Sequence, residues 1–373
     1  MLFMPTIVLF FKDNGLNLKE IMLIQAIYSI AIAVIEIPSG YVADVLGRKN
    51  SILIGTFFGF LGMVIYAYAF GFWGFLPAAL CLGVGQSFVS GSDTALMYDT
   101  LATIHQKENF VKFEGRSIAL GNFAEAIAFI IGGFLAEISL RTPFYYQCAI
   151  ALIGFLTAFF LIEPPVTKLS NIKPWANINY ILRYALKESK PLKWNIIYSS
   201  VIGVTTLVMA WFSQPYFEAL GLEVKFFGLV GAVLNLAVAL TSFYAHRIEE
   251  KWNSAKMLTF FLFSLSACYF LLGHILNYWG LVILFVFYLV RGIATPVLRD
   301  YINRYTPSEM RATVMSIRSF MIRVMFAICS PFLGYLADVY SIQTSFQLAA
   351  FIFFSIGGIA LIFYLKNEKL TRE

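Results

Sequence analysis

Five ionisable residues lie inside long apolar runs of this chain. They are Glu36, Asp93, Glu125, Arg291 and Arg323. An ionised side chain in the hydrocarbon region of a membrane costs about 2.5 kcal/mol or more, so each of the five is a candidate for function. Buried acids can carry protons, bases can bind anions, and opposite charges can pair across a gate. Counted back from the helix ends at about 1.5 Å per residue, all five lie roughly 9–14 Å deep, which predicts one shared polar layer.

The composition identifies the medium that surrounds these charges. The chain has 373 residues, of which 60% are hydrophobic and 13% charged, and it contains 38 Phe. Soluble domains carry about 25% charged residues. The sequence therefore predicts an all-α polytopic membrane protein, because apolar runs near 20 residues are typical of membrane helices rather than barrel strands.

Metal, cofactor and nucleotide chemistry have little support in the sequence. The four cysteines lie far apart in apolar runs and show no metal-ligand spacing, so we expect them to be small buried hydrophobic residues. The sequence has no HExxH motif, and no Lys is followed by Ser or Thr, so a Walker A site is excluded. We expect no metal and no cofactor. The energy would come from an ion gradient, such as a proton gradient, or from the gradient of the substrate itself.

Twelve apolar segments can be counted along the chain. They are 1–11, 19–42, 51–71, 73–98, 117–138, 143–163, 194–217, 226–246, 256–275, 279–299, 315–337 and 344–365. This predicts six helices in 1–163, a cytoplasmic linker in 164–193 and six helices in 194–373. The first segment is about 16 Å long as a helix, against roughly 30 Å of hydrocarbon, so we expect the first helix to have lost its beginning. Trp175, Ile178, Leu182 and Ala185 in the linker recur at helical spacing and predict an amphipathic interfacial helix.

The distribution of positive charge predicts the orientation. Placing both termini in the cytoplasm puts most of the 27 Lys and Arg on that side. The opposite loops then hold only Lys12, Lys19, Arg141 and Lys225. This is the positive-inside pattern, and it explains the net charge of +6 without a nucleic-acid partner. We expect a multi-pass protein of the inner, cytoplasmic cell membrane.

The two halves of the chain resemble each other. "GGFLAE" (Gly132 to Glu137) matches "LGYLAD" (Leu333 to Asp338), and Asp99 matches Asp300 at the same offset. These short matches keep their order along the chain. They favour a six-plus-six duplication, which is typical of secondary transporters that bind substrate between two repeats.

A string of glycines and charges follows the second segment. It reads Gly40-x-x-x-Asp44-x-x-Gly47-Arg48-Lys49, between two apolar segments. This string resembles the loop motif of the major facilitator superfamily, with Val45 where a basic residue is usual. The resemblance covers the whole chain in topology. It implies twelve transmembrane helices in two pseudo-symmetric halves that move by alternating access.

The resemblance also implies a gating role for the string. Gly40 and Asp44 would meet the start of helix eleven, where the helix dipole favours an anion. Arg48 would pair with Asp99, the acid that ends helix four. The alternative is that Arg48 and Lys49 only anchor the helix end on the positive-inside face.

The family arrangement implies pairings for the intramembrane charges. Glu36 would face Arg323, and Asp93 would face Arg291, across the two halves; a permanent structural pair is the alternative for the first. Glu125 is either a proton carrier or an acid kept neutral by burial, and Arg291 could instead bind an anionic substrate. Side chains that could contact substrate, or simply pack, are Gln86, Ser90, Trp211, Gln214 and Tyr288.

The function expected from these patterns is secondary active transport. Our first expectation is proton-coupled export of a small amphipathic molecule by a monomer in the bilayer. The alternative is uptake or facilitated diffusion of a small organic anion, and a remote one is a non-transporting membrane sensor. A membrane-embedded enzyme lacks a suitable nucleophile or metal cluster. The likeness to drug–proton antiporters is distant, because helix four, "LCLGVGQSFVSGSD", has no arginine and helix five has no proline.

Overall fold

The computed structural model describes residues 1–106, 109–164, 183–306 and 310–372. Every regular element in these ranges is a helix, as expected for the all-α class. The α-helices are α1 (Ile7–Asp13), α2 (Leu18–Leu46), α3 (Arg48–Tyr68), α4 (Gly71–Val89), α5 (Ser92–Thr103), α6 (Phe110–Ile138), α7 (Thr142–Ala158), α8 (Lys190–Ala219), α9 (Val224–Glu249), α10 (Ser254–Leu272), α11 (Trp279–Arg304), α12 (Arg311–Val339) and α13 (Ile342–Arg372). A short 3-10 turn, Met4–Thr6, precedes α1, and a π-helical turn, Tyr184–Glu188, precedes α8.

The helices match the twelve apolar segments. Within the described ranges, nine helical stretches are long and apolar enough to cross a membrane, and α7 is a shorter apolar helix. Lipid offers no partner for backbone polar groups, so an apolar run must close its hydrogen bonds within a helix. Segment 73–98 is the exception to one helix per segment, because the α4–α5 pair covers it.

The chain divides into two compact units. The first comprises Met1–Ile172 with Glu223–Ala232, and the second comprises Lys173–Leu222 with Val233–Glu373. The first turns of α9 thus group with the first unit. Most of the proposed linker, including the expected amphipathic positions Trp175, Ile178 and Leu182, lies outside the described residues.

Aromatic rings fill the core of the first unit. Phe10 and Phe144 have centroids 4.1 Å apart, and Phe11, Phe75 and Tyr66 pack around them. All five side chains are almost fully buried. Edge and tilted ring contacts of this kind add about 0.5–1.5 kcal/mol per pair beyond burial alone. The short α1 is held in the unit by its rings.

Glycines bring α3 and α4 into close contact. A Cβ added at Gly55 would lie 2.8 Å from the carbonyl oxygen of Gly85, and one added at Gly85 would lie 2.9 Å from the backbone nitrogen of Gly59. Small residues let membrane helices approach at backbone distance. The carboxyl end of α4 is therefore fixed against α3.

The long helix α8 forms the centre of the second unit. Tyr198 on α8 donates a hydrogen bond to the carbonyl of Leu258 (2.6 Å), and Tyr269 on α10 donates to the carbonyl of Thr205 (2.8 Å). Ala185, one of the expected amphipathic positions, is fully buried in a core cluster with residues of α8, α11 and α12. Buried hydroxyls thus satisfy backbone carbonyls between helices.

Candidate functional site

The reversal between α2 and α3 occurs at one residue. Helix α2 ends at Leu46, α3 begins at Arg48, and Gly47 between them has φ 98° and ψ 153°. This region of backbone space is essentially restricted to glycine. The gap between the apolar segments 19–42 and 51–71 predicts a turn of several residues. In the structure the turn is shorter, because Gly47 alone reverses the chain.

A carboxylate caps the start of α3. Glu163 accepts hydrogen bonds from the backbone N–H groups of Arg48 (2.8 Å) and Lys49 (2.6 Å). An acid at a helix N-terminus satisfies free N–H groups and complements the helix dipole. A Cβ on Gly47 would lie 3.0 Å from the carboxyl carbon of Glu163. Sequence analysis missed Glu163, whose only signal is that it is the acid ending the sixth apolar segment.

The expected pair of Arg48 with Asp99 is present. Nε of Arg48 lies 2.6 Å from Oδ2 of Asp99, and both side chains are largely shielded from solvent. Oδ2 of Asp99 has no hydrogen-bond partner in the described part of the chain, and its contact with Arg48 is an ion pair. We call Gly47, Arg48, Lys49, Asp99 and Glu163 the Gly47 corner. It joins α3 to α5 and to the chain that follows α7.

The rest of the motif lies on α2. Gly40 is exposed, and apart from the nearby backbone of its own helix no atom of the described residues lies within 4 Å of the position of an added Cβ. The side chain of Asp44 lies outside the described part of the chain. The close approach of helix eleven to this face of α2 therefore stays a prediction.

The fourth membrane segment is broken rather than continuous. Helix α4 ends at Val89, α5 begins at Ser92, and Gly91 between them has φ 81°. Segment 73–98 therefore lies in one candidate membrane span, Gly71–Thr103, whose helix is interrupted at Gly91. The reason is local, because Gly91 adopts a left-handed conformation that helices of L-residues avoid.

Serine hydroxyls donate hydrogen bonds to the backbone carbonyls that the helix break leaves unpaired. In an unbroken helix the carbonyls of Ser87 and Phe88 would accept from residues four further along. Instead, Ser39 on α2 donates to the Ser87 carbonyl (2.8 Å), and Ser51 on α3 donates to the Phe88 carbonyl (2.8 Å). Ser92 on α5 donates to the hydroxyl of Ser51 (3.1 Å). We call these four residues, Ser39, Ser51 and Ser92 with their hydroxyls and Ser87 with its carbonyl, the serine staple. Their hydrogen bonds allow the helix to break in an apolar environment.

Three predicted site residues flank the break. Gln86 and Ser90, at the end of α4, are both exposed. Asp93 lies in the first turn of α5, exposed, and its Oδ1 accepts the N–H of Thr94 (2.7 Å). The N-terminus of a helix is a favourable place for an anion. The break therefore places an exposed carboxylate in the first turn of α5.

The other two acids of the first unit lie on separate helices. Glu36 is half-buried on α2, and its carbonyl accepts a hydrogen bond from Ser39 (3.0 Å). Glu125 is exposed on α6.

Gly133 of α6 and Gly228 of α9 approach so closely that a Cβ at the first would lie 3.2 Å from Cα of the second.

A polar and aromatic group lies on α8 and α11 of the second unit. The Arg291 guanidinium lies 5.3 Å from the centroid of the Tyr288 ring, a cation–π contact. The Tyr288 hydroxyl lies 3.3 Å from Oγ of Ser213. Gln214 and Tyr288 are buried, and Trp211 is half-buried. The structure thus brings Tyr288 and Arg291 together and places Trp211 and Gln214 on α8.

Two arginines of α12 differ in how they are satisfied. Arg323 is half-buried, and its Nε is buried with no hydrogen-bond partner among the described residues. Arg318, which sequence analysis did not single out, is 8% exposed and donates from Nε to Oγ of Ser199 (2.5 Å). Arg323 therefore retains an unused donor in a shielded position.

The charges predicted to pair belong to different units. Glu36 and Asp93 are in the first unit, whereas Arg323 and Arg291 are in the second. Their pairing stays a prediction.

The number of helices and the geometry of the motif agree with the match of this sequence to a family model. The family model of the Major Facilitator Superfamily matches residues 1–324 and 205–373, which together span the chain. The chain belongs to the Major Facilitator Superfamily. The charged string after α2 and the six-plus-six pattern are accordingly features of a membrane transporter rather than of an enzyme.

Relatives by sequence include one named for drug resistance. The quinolone resistance protein NorA of Staphylococcus aureus is 30% identical over 165 residues, 44% of this chain and 41% of NorA. The chain thus aligns with about two fifths of that relative's length. The MFS-type transporter MJ1560 of Methanocaldococcus jannaschii is 21% identical over 98% of this chain and 93% of its own length.

Solved structures of transporters share the fold. The nucleoside transporter NupG superposes with a TM-score of 0.77 at 15% identity, covering 96% of this chain and 92% of NupG. A D-xylose–proton symporter gives a TM-score of 0.72 at 16% identity, covering 96% of this chain and 91% of the symporter. At these identities the likeness concerns the fold alone.

Proposed function

We propose that this superfamily member is a proton-coupled secondary transporter that exports a small amphipathic molecule by alternating access. It would work as a monomer in the cytoplasmic membrane, with both termini in the cytoplasm and no cofactor. Transport in this fold requires each half to move largely as a rigid body. The Gly47 corner carries the proposal, because it ties α3, α5 and the end of the α7 segment into one body.

The export direction has separate support. The local similarity to NorA, whose name describes quinolone resistance, favours an amphipathic aromatic substrate. Trp211, which is half-buried, supplies aromatic surface in the second unit, while Asp93 and Glu125 supply exposed carboxylates in the first. An acid on a membrane helix is a reasonable proton carrier.

Inside-out membrane vesicles provide the test. An acidic interior should drive accumulation of a fluorescent amphipathic cation, and a protonophore should abolish it. Glu125→Gln should lose accumulation yet keep downhill equilibration of the dye, because the transport cycle remains while the coupling proton is lost. Glu20→Gln, at the capped start of α2, serves as the control. Equal accumulation by Glu125→Gln and the unmodified protein would remove Glu125 as the coupling acid.

A second candidate function rests on the arginines. Arg323 has a buried Nε without a partner among the described residues, and Arg291 is held over an aromatic ring. Both arrangements suit a carboxylate or phosphate ligand. This candidate predicts uptake of a small organic anion into right-side-out vesicles and its loss in Arg291→Gln and Arg323→Gln. Export of amphipathic cations with both variants unimpaired would reject it.

The predicted gate pair has its own experiment. Asp93→Asn and Arg291→Ala should each change the rate of transport more than the affinity for substrate, since a gate acts on the conformational step. The double variant should resemble the single ones, because both remove the same contact. Unchanged kinetics in both single variants would reject the pair.

A further inference from the structure

A basic cavity lies at the junction of α9 and α10, away from the candidate transport site. Its volume is about 600 Å³, and Lys251, Trp252, Ala255, Lys256, Thr259 and Phe260 line it. All of these residues belong to the second unit. The loop lies on the side that the positive-inside pattern assigns to the cytoplasm.

The acids near this cavity are already engaged. Glu249 pairs with Arg304 at 3.0 Å, and Glu250 lies 3.1 Å from Nε2 of His246. Within the described ranges, no acid forms an ion pair with Lys251 or Lys256, and Lys251 is exposed. The two lysines therefore leave a local excess of positive charge.

The start of α10 adds to this charge. Asn253 caps the helix by accepting the N–H of Lys256 (2.8 Å), so the positive end of the helix dipole lies at the cavity. The lysine ammonium groups and the helix end together favour a doubly coordinated anion such as a phosphodiester.

Two aromatic side chains also line the cavity. The Trp252 and Phe260 rings pack edge to face with centroids 5.4 Å apart, and Trp252 is 43% exposed. Trp is enriched at the level of lipid headgroups, where its ring contacts hydrocarbon on one side and water on the other. A soluble anion makes no use of these rings, whereas the glycerol and upper acyl chain of a lipid would cover them.

We propose that this cavity binds the headgroup of an anionic phospholipid from the cytoplasmic leaflet. The phosphodiester lies between Lys251 and Lys256, and the glycerol backbone lies against Trp252 and Phe260. Basic pockets on this side of membrane proteins attract such lipids by about fivefold in affinity per lysine. Loss of both lysines should therefore weaken binding about 25-fold.

Lipid titration of the purified full chain, followed by native mass spectrometry, tests the proposal. Phosphatidylglycerol should give one tightly bound lipid, phosphatidylcholine should not, and Lys251→Gln/Lys256→Gln should lose the tight lipid. Lys187→Gln/Lys190→Gln is the matched control, because both lysines are exposed on the same predicted side and outside the cavity. The control should bind within about twofold of the unmodified chain.

Several results would overturn the assignment. They are the absence of a tight phosphatidylglycerol in the unmodified chain, its retention in the cavity double variant, and an equal loss in the control. Displacement of the lipid by inorganic phosphate would identify a soluble-anion site instead. Elution of all variants as one sharp peak on size exclusion establishes that the folded protein is compared throughout.

Discussion

Replacement of Gly47 by alanine should destabilise the first unit strongly. At φ 98° and ψ 153° a non-glycine residue is strained by about 1–3 kcal/mol. The added Cβ would also lie 3.0–3.2 Å from the carboxylate of Glu163, displacing the cap of α3. Loss of a helix cap costs about 0.5–2 kcal/mol. The two effects together predict a loss of about 1.5–5 kcal/mol.

Gly40 is the matched control within the same motif. It has ordinary helical φ, and apart from the nearby backbone of its own helix an added Cβ meets no atom of the described residues within 4 Å. Alanine in a helix interior is favoured over glycine by about 0.5–1 kcal/mol, so Gly40→Ala should be neutral or slightly stabilising.

The assay is thermal unfolding of the purified protein in detergent, followed by the loss of the monomer peak on size exclusion. Gly47→Ala should lower the apparent Tm by about 3 °C or more, whereas Gly40→Ala should leave it unchanged or raised. Equal melting of the two variants would refute the argument that Gly47 is required by its backbone conformation and by Glu163.

The remaining predictions concern the same unit and the same measurement. Glu163→Gln should cost about 0.5–1 kcal/mol and Glu163→Ala about 1–2 kcal/mol, because the amide keeps one acceptor and loses the charge; equal effects would mean that the retained amide oxygen contributes nothing to the cap. Arg48→Asp and Asp99→Arg should each lower the apparent Tm, and the double reversal should recover about 1 kcal/mol; additive losses would argue against the ion pair. Ser51→Ala should cost about 1–3 kcal/mol, because it leaves the part-buried carbonyl of Phe88 at the break without its hydrogen bond. Thr56→Val should cost less, since the Thr56 hydroxyl bonds only within its own helix; similar losses would argue against the serine staple.

Much of the helical architecture could be predicted from the sequence. Hydropathy alone located the membrane segments, since lipid forces each apolar run into a helix. The charged string indicated the family, and the Arg48–Asp99 ion pair followed from the resemblance. These features depend on local composition or on a motif, and both can be recognised from the sequence alone.

The caps and the break could not be predicted in the same way. Glu163 lies more than a hundred residues beyond the N–H groups that it caps, and no spacing rule connects them. The sequence analysis did not identify a break at Gly91, and Ser39 and Ser51, which donate to the carbonyls there, come from other helices. Their role depends on tertiary packing, which the pattern of a single helix does not contain.

Transport by purified protein in proteoliposomes with an imposed pH gradient tests the central claim most directly. A panel of small amphipathic cations, organic anions and neutral nucleosides should include at least one amphipathic solute that moves against its own gradient. That movement should stop when a protonophore collapses the pH gradient. Movement that is indifferent to the pH gradient, or accumulation of the anions alone, would contradict proton-coupled export of an amphipathic molecule.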